Sequence, residues 1–197
     1  MPRPRAFDPD AALDAALEVF RTRGYEAASV QDLVDATGLS RSSLYATFGD
    51  KHGLFLAALD RYAVEGRQSL EALCRCGAAS PLDALRTHLT HIAAEPAEGD
   101  LPPPGCLMTN AAVEVASRDP ETARRACAAR RAMTDAFARL VRDAQAAGEV
   151  GPARDPAALA QFLTGTVFGL HGLKKAGAPP DALAHVVDTA VAAVAGD

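Results

Sequence analysis

Apolar residues recur at helical spacing along most of the chain, and no segment shows the strict alternation that is typical of a β-strand. The pattern predicts an all-α fold of about nine helices. These helices are predicted at residues 8–23, 29–37, 41–48, 51–76, 81–95, 105–116, 120–147, 156–176 and 180–195. Four of them begin with a capping residue followed by proline, which is typical of a helix start: Asp8-Pro9, Ser80-Pro81, Asp119-Pro120 and Asp155-Pro156.

Residues 29–51 are predicted to form two short helices joined by a tight turn, a shape that can place one helix in the major groove of DNA. Ser29 is the expected N-cap of the first helix, and Asp32 at the third helical position completes a short-acid capping box. Gly38 can adopt the left-handed conformation that ends this helix. Ser40 has the side chain to cap the second helix.

The second of these helices is predicted to have one buried and one exposed face. Leu44 and Phe48, four residues apart, are expected to pack on the first helix. The outward face then carries Arg41, Ser42, Tyr45 and Ala46. A guanidinium, hydroxyls and small side chains suit a groove lined with phosphates and base edges. Lys51 follows near the start of the next helix, where its ammonium and free backbone N–H groups can hold a phosphate.

These residues carry a resemblance to a known family. The matching pieces are A-L-E-V-F-R-T-R-G-Y at 16–25, S-V-Q-D-L-V at 29–34, A-T-G-L-S at 36–40, S-L-Y-A-T-F at 43–48 and K-H-G-L-F at 51–55. In order and spacing, the segment from Ala11 to Phe55 resembles the N-terminal domain of tetracycline-repressor-like (TetR) regulators. The resemblance implies an N-terminal three-helix helix-turn-helix domain at 1–55 and a C-terminal helical bundle for effector binding and dimerisation at 56–197.

The resemblance also implies a set of DNA-contacting residues. The predicted set is Ser29, Ser40, Arg41, Ser42, Ser43, Tyr45, Ala46, Thr47 and Lys51. Tyr45 and Lys51 would contact backbone phosphate, and the first turn of the second helix would read bases. Ala46 departs from the family, which often has histidine or another aromatic residue there.

A second region of interest is the predicted helical body between the DNA-reading hairpin at residues 29–51, called the reader below, and the C-terminus. Its candidate effector pocket consists of Leu85, His88, Leu89, Ile92, Cys106, Leu107, Met108, Asn110, Ala111, Phe137, Phe168 and His171. A mostly apolar cavity with a few polar groups is the usual form of a small-ligand site. The alternative is that these are ordinary core and surface residues. The resemblance implies a small-molecule effector whose binding moves the two readers out of register with DNA.

Cys106 offers a different signal input. The chain has four cysteines, Cys74, Cys76, Cys106 and Cys127, which are expected to be reduced thiols in the cytosol. Cys106 lies near the start of a predicted helix, whose N-terminal dipole lowers a thiol pKa. Lys174 and Lys175, if close, would stabilise the thiolate further. The segment 105–114, G-C-L-M-T-N-A-A-V-E, resembles that of family members that respond to electrophiles and oxidants. The alternative role for Cys106 is that of a small buried residue.

The two C-terminal helices suit a subunit interface. Their apolar stripes comprise Leu159, Phe162, Leu163, Thr166, Val167, Leu170, Leu183, Val186, Val187, Val191 and Val194. An intramolecular core would use the same residues, so the pattern alone leaves both open. The resemblance implies a two-fold homodimer through a four-helix bundle.

Charge gives no basic footprint for a DNA-binding surface. The net charge of the 197 residues is −5, and residues 1–67 hold eight Lys or Arg against ten Asp or Glu. Arg3 and Arg5 form a short arm that either reaches DNA or is a disordered terminus. Few phosphate contacts are therefore expected for each subunit, and the salt dependence of binding should be shallow. No membrane-length apolar run and no signal-peptide core are present, which predicts a cytoplasmic protein without membrane association.

No motif for nucleophilic, phosphate-binding or zinc-protease chemistry appears, so no enzyme activity and no cofactor is predicted. His88 and His91 are three residues apart, but the sequence places no third ligand and no metal site is predicted. The sequence is interpreted as a homodimeric repressor released from a palindromic operator by a small effector. Two alternatives remain: a redox sensor of the same fold acting through Cys106, and a helical protein-binding adaptor.

Overall fold

A computed structural model describes residues 7–75, 80–94 and 105–196, with the side chains of residues 70–75 excepted. Within these ranges the chain forms nine α-helices and no strand, so the predicted all-α fold is confirmed. The helices are α1 Pro9–Ala27, α2 Val30–Thr37, α3 Arg41–Phe48, α4 Lys51–Arg75, α5 Pro81–Ala94, α6 Leu107–Glu114, α7 Pro120–Ala146, α8 Pro156–Lys175 and α9 Pro180–Ala195. Arg3, Arg5, Cys76, the side chain of Cys74 and the loop at 95–104 lie outside the described residues.

The largest difference from the predicted helices is at the end of α1. The sequence predicts an end at Arg23, but helical hydrogen bonding continues to Ala27. Gly24 breaks the helical geometry inside this span, with φ 81° and ψ 172°. A positive φ is strained for residues with a side chain, so glycine allows the kink that redirects the last residues of α1.

The chain divides into two compact units. The first comprises residues 1–63 and 107–126, and the second comprises residues 64–106 and 127–197. Helix α6 joins the first unit because it packs against α1. The predicted domains, 1–55 and 56–197, refer to function and stay a prediction.

The core of the first unit is built around aromatic rings. The Phe20 and Phe55 rings are fully buried and meet edge-on, with centroids 5.2 Å apart. Tyr25 packs on Phe55 at 4.6 Å. Leu33 of α2 and Leu44 of α3 are also buried, so the two short helices rest on a rigid support.

The core of the second unit is formed by α5, α7, α8 and α9. Among its fully buried side chains are Leu85, Leu89, Phe137, Leu163 and Leu170. No helix in the described ranges is both long and apolar enough to cross a membrane.

This core shares residues with the predicted subunit interface, which stays a prediction. Eight of the eleven interface candidates are buried within the chain itself: Leu159, Leu163, Val167, Leu170, Leu183, Val187, Val191 and Val194. Side chains that α5, α7, α8 and α9 bury against one another have little surface left for a second subunit. Phe162, with 45 % of its area exposed, and the half-buried Thr166 and Val186 keep accessible surface.

Candidate nucleic-acid interface

The first helix of the hairpin begins with the capping box that the sequence predicts. The Asp32 backbone N–H donates to Ser29 Oγ at 3.1 Å, and the Ser29 backbone N–H donates to Asp32 Oδ2 at 2.8 Å. The hydrogen bonds from the Ser29 backbone and side chain lower the pKa of Asp32, and nearby Arg23 and Lys51 lower it further. Gly38 ends α2 with φ 66° and donates its N–H to the Val34 carbonyl at 3.0 Å. Both ends of the helix are therefore fixed by local hydrogen bonds.

Helix α3 presents its first turn to solvent. Ser40 caps it by accepting the Ser43 N–H at 3.2 Å, and Leu44 is buried on the opposite side. Arg41, Ser42 and Ala46 are exposed. Contact with base edges and phosphates requires exposed hydrogen-bond donors on a helix whose other face is packed in the core.

The other predicted contact residues are less exposed. Ser29 and Ser40 lie at the surface, whereas Ser43, Tyr45, Thr47 and Lys51 are half-buried. The Thr47 hydroxyl donates to the Ser43 carbonyl at 3.0 Å, so it is partly committed within α3. All nine predicted DNA-contacting residues thus retain some surface, and their individual roles stay predictions.

Two cations lie against aromatic rings in this region. The Arg41 guanidinium carbon is 5.6 Å from the centroid of the Tyr45 ring, and Lys51 Nζ is 4.5 Å from that of Tyr25. Burial lowers the pKa of Lys51, while Asp32 and Glu114 act in the opposite direction. These ring contacts restrict the two long side chains and reduce the conformational entropy that each would lose on binding a ligand.

The start of α4 differs from its predicted phosphate site in one respect. Asp50 Oδ1 accepts the Gly53 N–H at 2.7 Å, so a backbone donor of the first turn is already used by a carboxylate. A Cβ at Gly53 would lie 2.1 Å from the Phe48 carbonyl oxygen, so only glycine fits this approach. The role of the Lys51 ammonium in holding a phosphate stays a prediction.

Sequence reasoning missed the α6–α7 corner, residues 114–122, which contacts both chain segments that flank the hairpin. Glu114 Oε2 accepts the Tyr25 N–H at 2.9 Å, and Asp119 Oδ2 lies 2.9 Å from His52 Nε2. The Thr122 and His52 side chains hold the pKa of Asp119 well below its usual range. The only sequence signal was the pair Asp119-Pro120, which marked a helix start and nothing more.

The structure divides the residues of the predicted effector pocket. Leu107, Met108, Asn110 and Ala111 fall in the first unit, and the other eight fall in the second. The Asn110 side-chain amide donates to the Arg21 carbonyl at 3.2 Å, and its assignment to the pocket stays a prediction. The His88 ring packs on Phe137 at 6.0 Å, and burial, followed by the charge of His91, lowers the His88 pKa to about 4. Ile92 and His171 of the predicted pocket are buried in the second unit, and Phe168 is half-buried there.

Cys106 lies directly before the first residue of α6, as predicted, and only 3 % of its area is exposed. Lys175 is exposed, whereas Lys174 is buried and donates from Nζ to the Ile92 carbonyl at 3.0 Å. Burial in apolar surroundings makes a thiol less reactive. A sensing role for Cys106 with Lys175 stays a prediction.

Comparison with known proteins agrees with this geometry. Residues 12–58 match the family described as bacterial regulatory proteins of the tetR family, and residues 81–190 match the tetracyclin repressor-like C-terminal domain. The chain is 37 % identical over 188 residues to the transcriptional repressor ComR of Escherichia coli, covering 95 % of this chain and 89 % of ComR. It is 34 % identical over 197 residues to the uncharacterised regulator YezE of Bacillus subtilis, covering 97 % and 98 % of the two chains.

A solved structure extends the likeness to three dimensions. The regulator CifR, in a cysteine-substituted form complexed with 26-base-pair operator DNA, matches with a TM-score of 0.82 and 35 % identity. The match covers 97 % of this chain and 99 % of CifR. These similarities point to regulators and not to an enzyme family. The chain belongs to the tetracycline-repressor-like family of DNA-binding transcriptional regulators.

Proposed function

We propose that this protein is a homodimeric repressor that binds a palindromic operator through α3 of each subunit and leaves it when a small molecule binds the helical body. The observation that carries the proposal is the exposed first turn of α3 on a support capped at both ends. Because one eight-residue helix makes few contacts, two copies on a two-fold site are needed for useful affinity.

Three residues of α3 and Lys51 of α4 have distinct proposed roles. Arg41 and Ser42 are the exposed donors of the first turn and read base edges. Tyr45 and Lys51 contact phosphates. The Tyr45 ring is held by its contact with Arg41, and the Lys51 ammonium is held by its contact with the Tyr25 ring. Phosphate contacts fix the register, whereas base contacts carry the sequence preference.

Dimerisation uses the apolar surface that the core of the second unit leaves accessible. Phe162, Thr166 and Val186 line an open cavity of about 320 Å³ together with His185, Thr189 and Ala190. An exposed phenylalanine beside an open apolar cavity on α8 and α9 is suited to a second copy of the same surface. The homodimer thus uses a smaller residue set than the sequence pattern predicted.

The direction of regulation is inferred from the relatives. ComR is a repressor, and the CifR structure contains operator DNA, so repression by operator binding is the simplest proposal for this chain. Access to chromosomal DNA requires a cytoplasmic location. The small-molecule effector binds among the side chains of α5, α7 and α8, where His88 and His171 supply polar groups among apolar ones.

The test measures binding of purified protein to labelled duplexes that cover the DNA flanking its own gene. The wild type should bind one of them specifically, and Arg41→Ala should weaken that binding by about tenfold. Arg139→Ala removes another exposed arginine, on α7, and is the matched control that should bind like the wild type. Equal affinities of the two variants would refute the assignment of α3, and failure of the wild type to bind any flanking duplex would refute the proposed function.

A further inference from the structure

The α6–α7 corner touches the chain just before and just after the DNA-reading hairpin. On the entry side, Glu114 contacts the kink at Gly24 and Tyr25, four residues before the Ser29 cap. Next to it, Arg118 forms an ion pair with Glu26. On the exit side, Asp119 is bonded to His52, the second residue of α4.

The contact at Gly24 is unusually close. A Cβ placed on Gly24 would lie 2.3 Å from Glu114 Oε1 and 2.7 Å from Oε2, so the carboxylate fills the space that a side chain would take. The same carboxylate accepts the Tyr25 N–H at 2.9 Å. Tyr25 follows the break in helical geometry at Gly24, and its backbone N–H donates to the Glu114 carboxylate.

The kink connects to the phosphate-binding lysine. The Tyr25 ring packs on Phe55 at 4.6 Å and lies 4.5 Å from Lys51 Nζ. Rotation of the Tyr25 peptide would therefore move the ring against which Lys51 rests. Burial lowers the pKa of Lys51, and the charges of Asp32 and Glu114 act in the opposite direction.

We infer that Glu114 is a positioning residue for DNA binding: by accepting the Tyr25 amide in the space beside Gly24, it fixes the end of α1 and, through it, Tyr25, Lys51 and the hairpin. Glu114 is the last residue of α6, so its contact with Tyr25 joins the end of α6 to the end of α1. The inference rests on the proposed function, since its consequence is measured as DNA affinity.

Two substitutions separate the hydrogen bond from the charge. Glu114→Gln keeps an acceptor oxygen and loses the negative charge, whereas Glu114→Ala loses both. Loss of charge near Lys51 should by itself favour phosphate binding, so E114Q should bind the flanking duplex at least as tightly as the wild type. E114A should bind about tenfold more weakly than E114Q. Val113→Ala changes the preceding, 78 % exposed residue and is the control that should bind like the wild type.

A double-mutant cycle tests whether the two groups share one space. Gly24→Ala introduces a methyl group that collides with the carboxylate and also strains a backbone with positive φ. In the E114A background the collision disappears and only the strain remains. G24A should therefore weaken DNA binding by a smaller factor in E114A than in the wild type.

Folding and the hydrogen bond are measured separately on the same proteins. Each variant must keep the wild-type helical circular dichroism and sedimentation mass to enter the comparison. In ¹⁵N-labelled protein the Tyr25 amide proton should shift in E114A and remain near its wild-type position in E114Q, whether or not DNA is present. If the wild type binds DNA while E114A and E114Q bind equally, or if the G24A effects simply add, the inference is overturned. If the wild type binds no flanking duplex, the proposed function fails, and an unshifted Tyr25 amide in E114A would separately refute the contact.

Discussion

His88 links the stability of the second unit to pH. Its ring is packed on Phe137, and burial lowers its pKa to about 4 from an ordinary value of 6.5. The unfolded chain therefore binds a proton between pH 6.5 and pH 4 that the folded chain does not bind. Stability is fully present above pH 6.5 and is lost as the pH falls toward 4, because protons then favour the unfolded state.

The size of this loss follows from the two pKa values. One pKa unit corresponds to about 1.4 kcal/mol, so the full shift is worth about 3 kcal/mol below pH 4. At pH 5 the folded ring is still mostly neutral while the unfolded one is almost fully protonated. The loss between pH 8 and pH 5 is then about 2 kcal/mol.

The assay is urea unfolding of the wild type and His88→Gln at pH 8 and pH 5. The wild type should lose about 2 kcal/mol more than H88Q over this interval, since glutamine cannot take up the proton. His91→Gln removes the exposed histidine three residues away and is the matched control, which should follow the wild-type pH dependence to within about 0.5 kcal/mol. If H88Q loses as much stability as the wild type, the burial of a neutral His88 ring is not the cause and the reasoning fails.

Three further predictions concern the reader. Gly53→Ala should destabilise the protein by about 1–3 kcal/mol because its methyl group would collide with the Phe48 carbonyl. Gly66→Ala on the same helix meets nothing within 4 Å, so it should stabilise the protein in the same urea assay. Equal effects of the two variants would contradict this account. Ser29→Ala should cost about 1 kcal/mol through loss of the α2 cap. Ser29→Thr keeps a hydroxyl that can accept the Asp32 N–H and donate to the Asp32 carboxylate, so it should recover most of this loss. An alanine variant as stable as the wild type would show that the cap is dispensable. Because few phosphate contacts are expected for each subunit, a plot of log binding constant against log salt concentration should have a slope shallower than about −8. A steeper slope would mean that phosphate contacts have been undercounted.

The hairpin was predictable because its determinants are local. The Ser29–Asp32 pair, the Gly38 turn and the Ser40 cap are each satisfied within four residues along the chain. Short-range hydrogen bonds of this kind depend on residue type and spacing, which the sequence states directly. The exposed face of α3 follows from the same register, since Leu44 must turn inward.

The apolar pattern alone could not identify the residues of the subunit interface. An apolar stripe on α8 or α9 indicates a buried face but does not identify what buries it. Leu163 and Val187 proved to be covered by helices of the same chain, and Phe162 was left at the surface. The choice between the two depends on how α5 and α7 pack, which no local spacing encodes.

Apart from the end of α1, the sequence by itself determined the helix bounds to within two residues, and it determined which side of α3 faces outward. Capping and amphipathic periodicity act over one or two turns, so they can be read from local spacing. Only the tertiary structure decided that Glu114 meets Tyr25 across 89 positions and that Asp119 meets His52 across 67. Such contacts arise when the apolar faces of distant helices are buried together, and the polar groups brought along then pair with whatever donors they find. The physical reason is that burial selects partners by shape across the whole chain, whereas a cap selects them by position within a few residues.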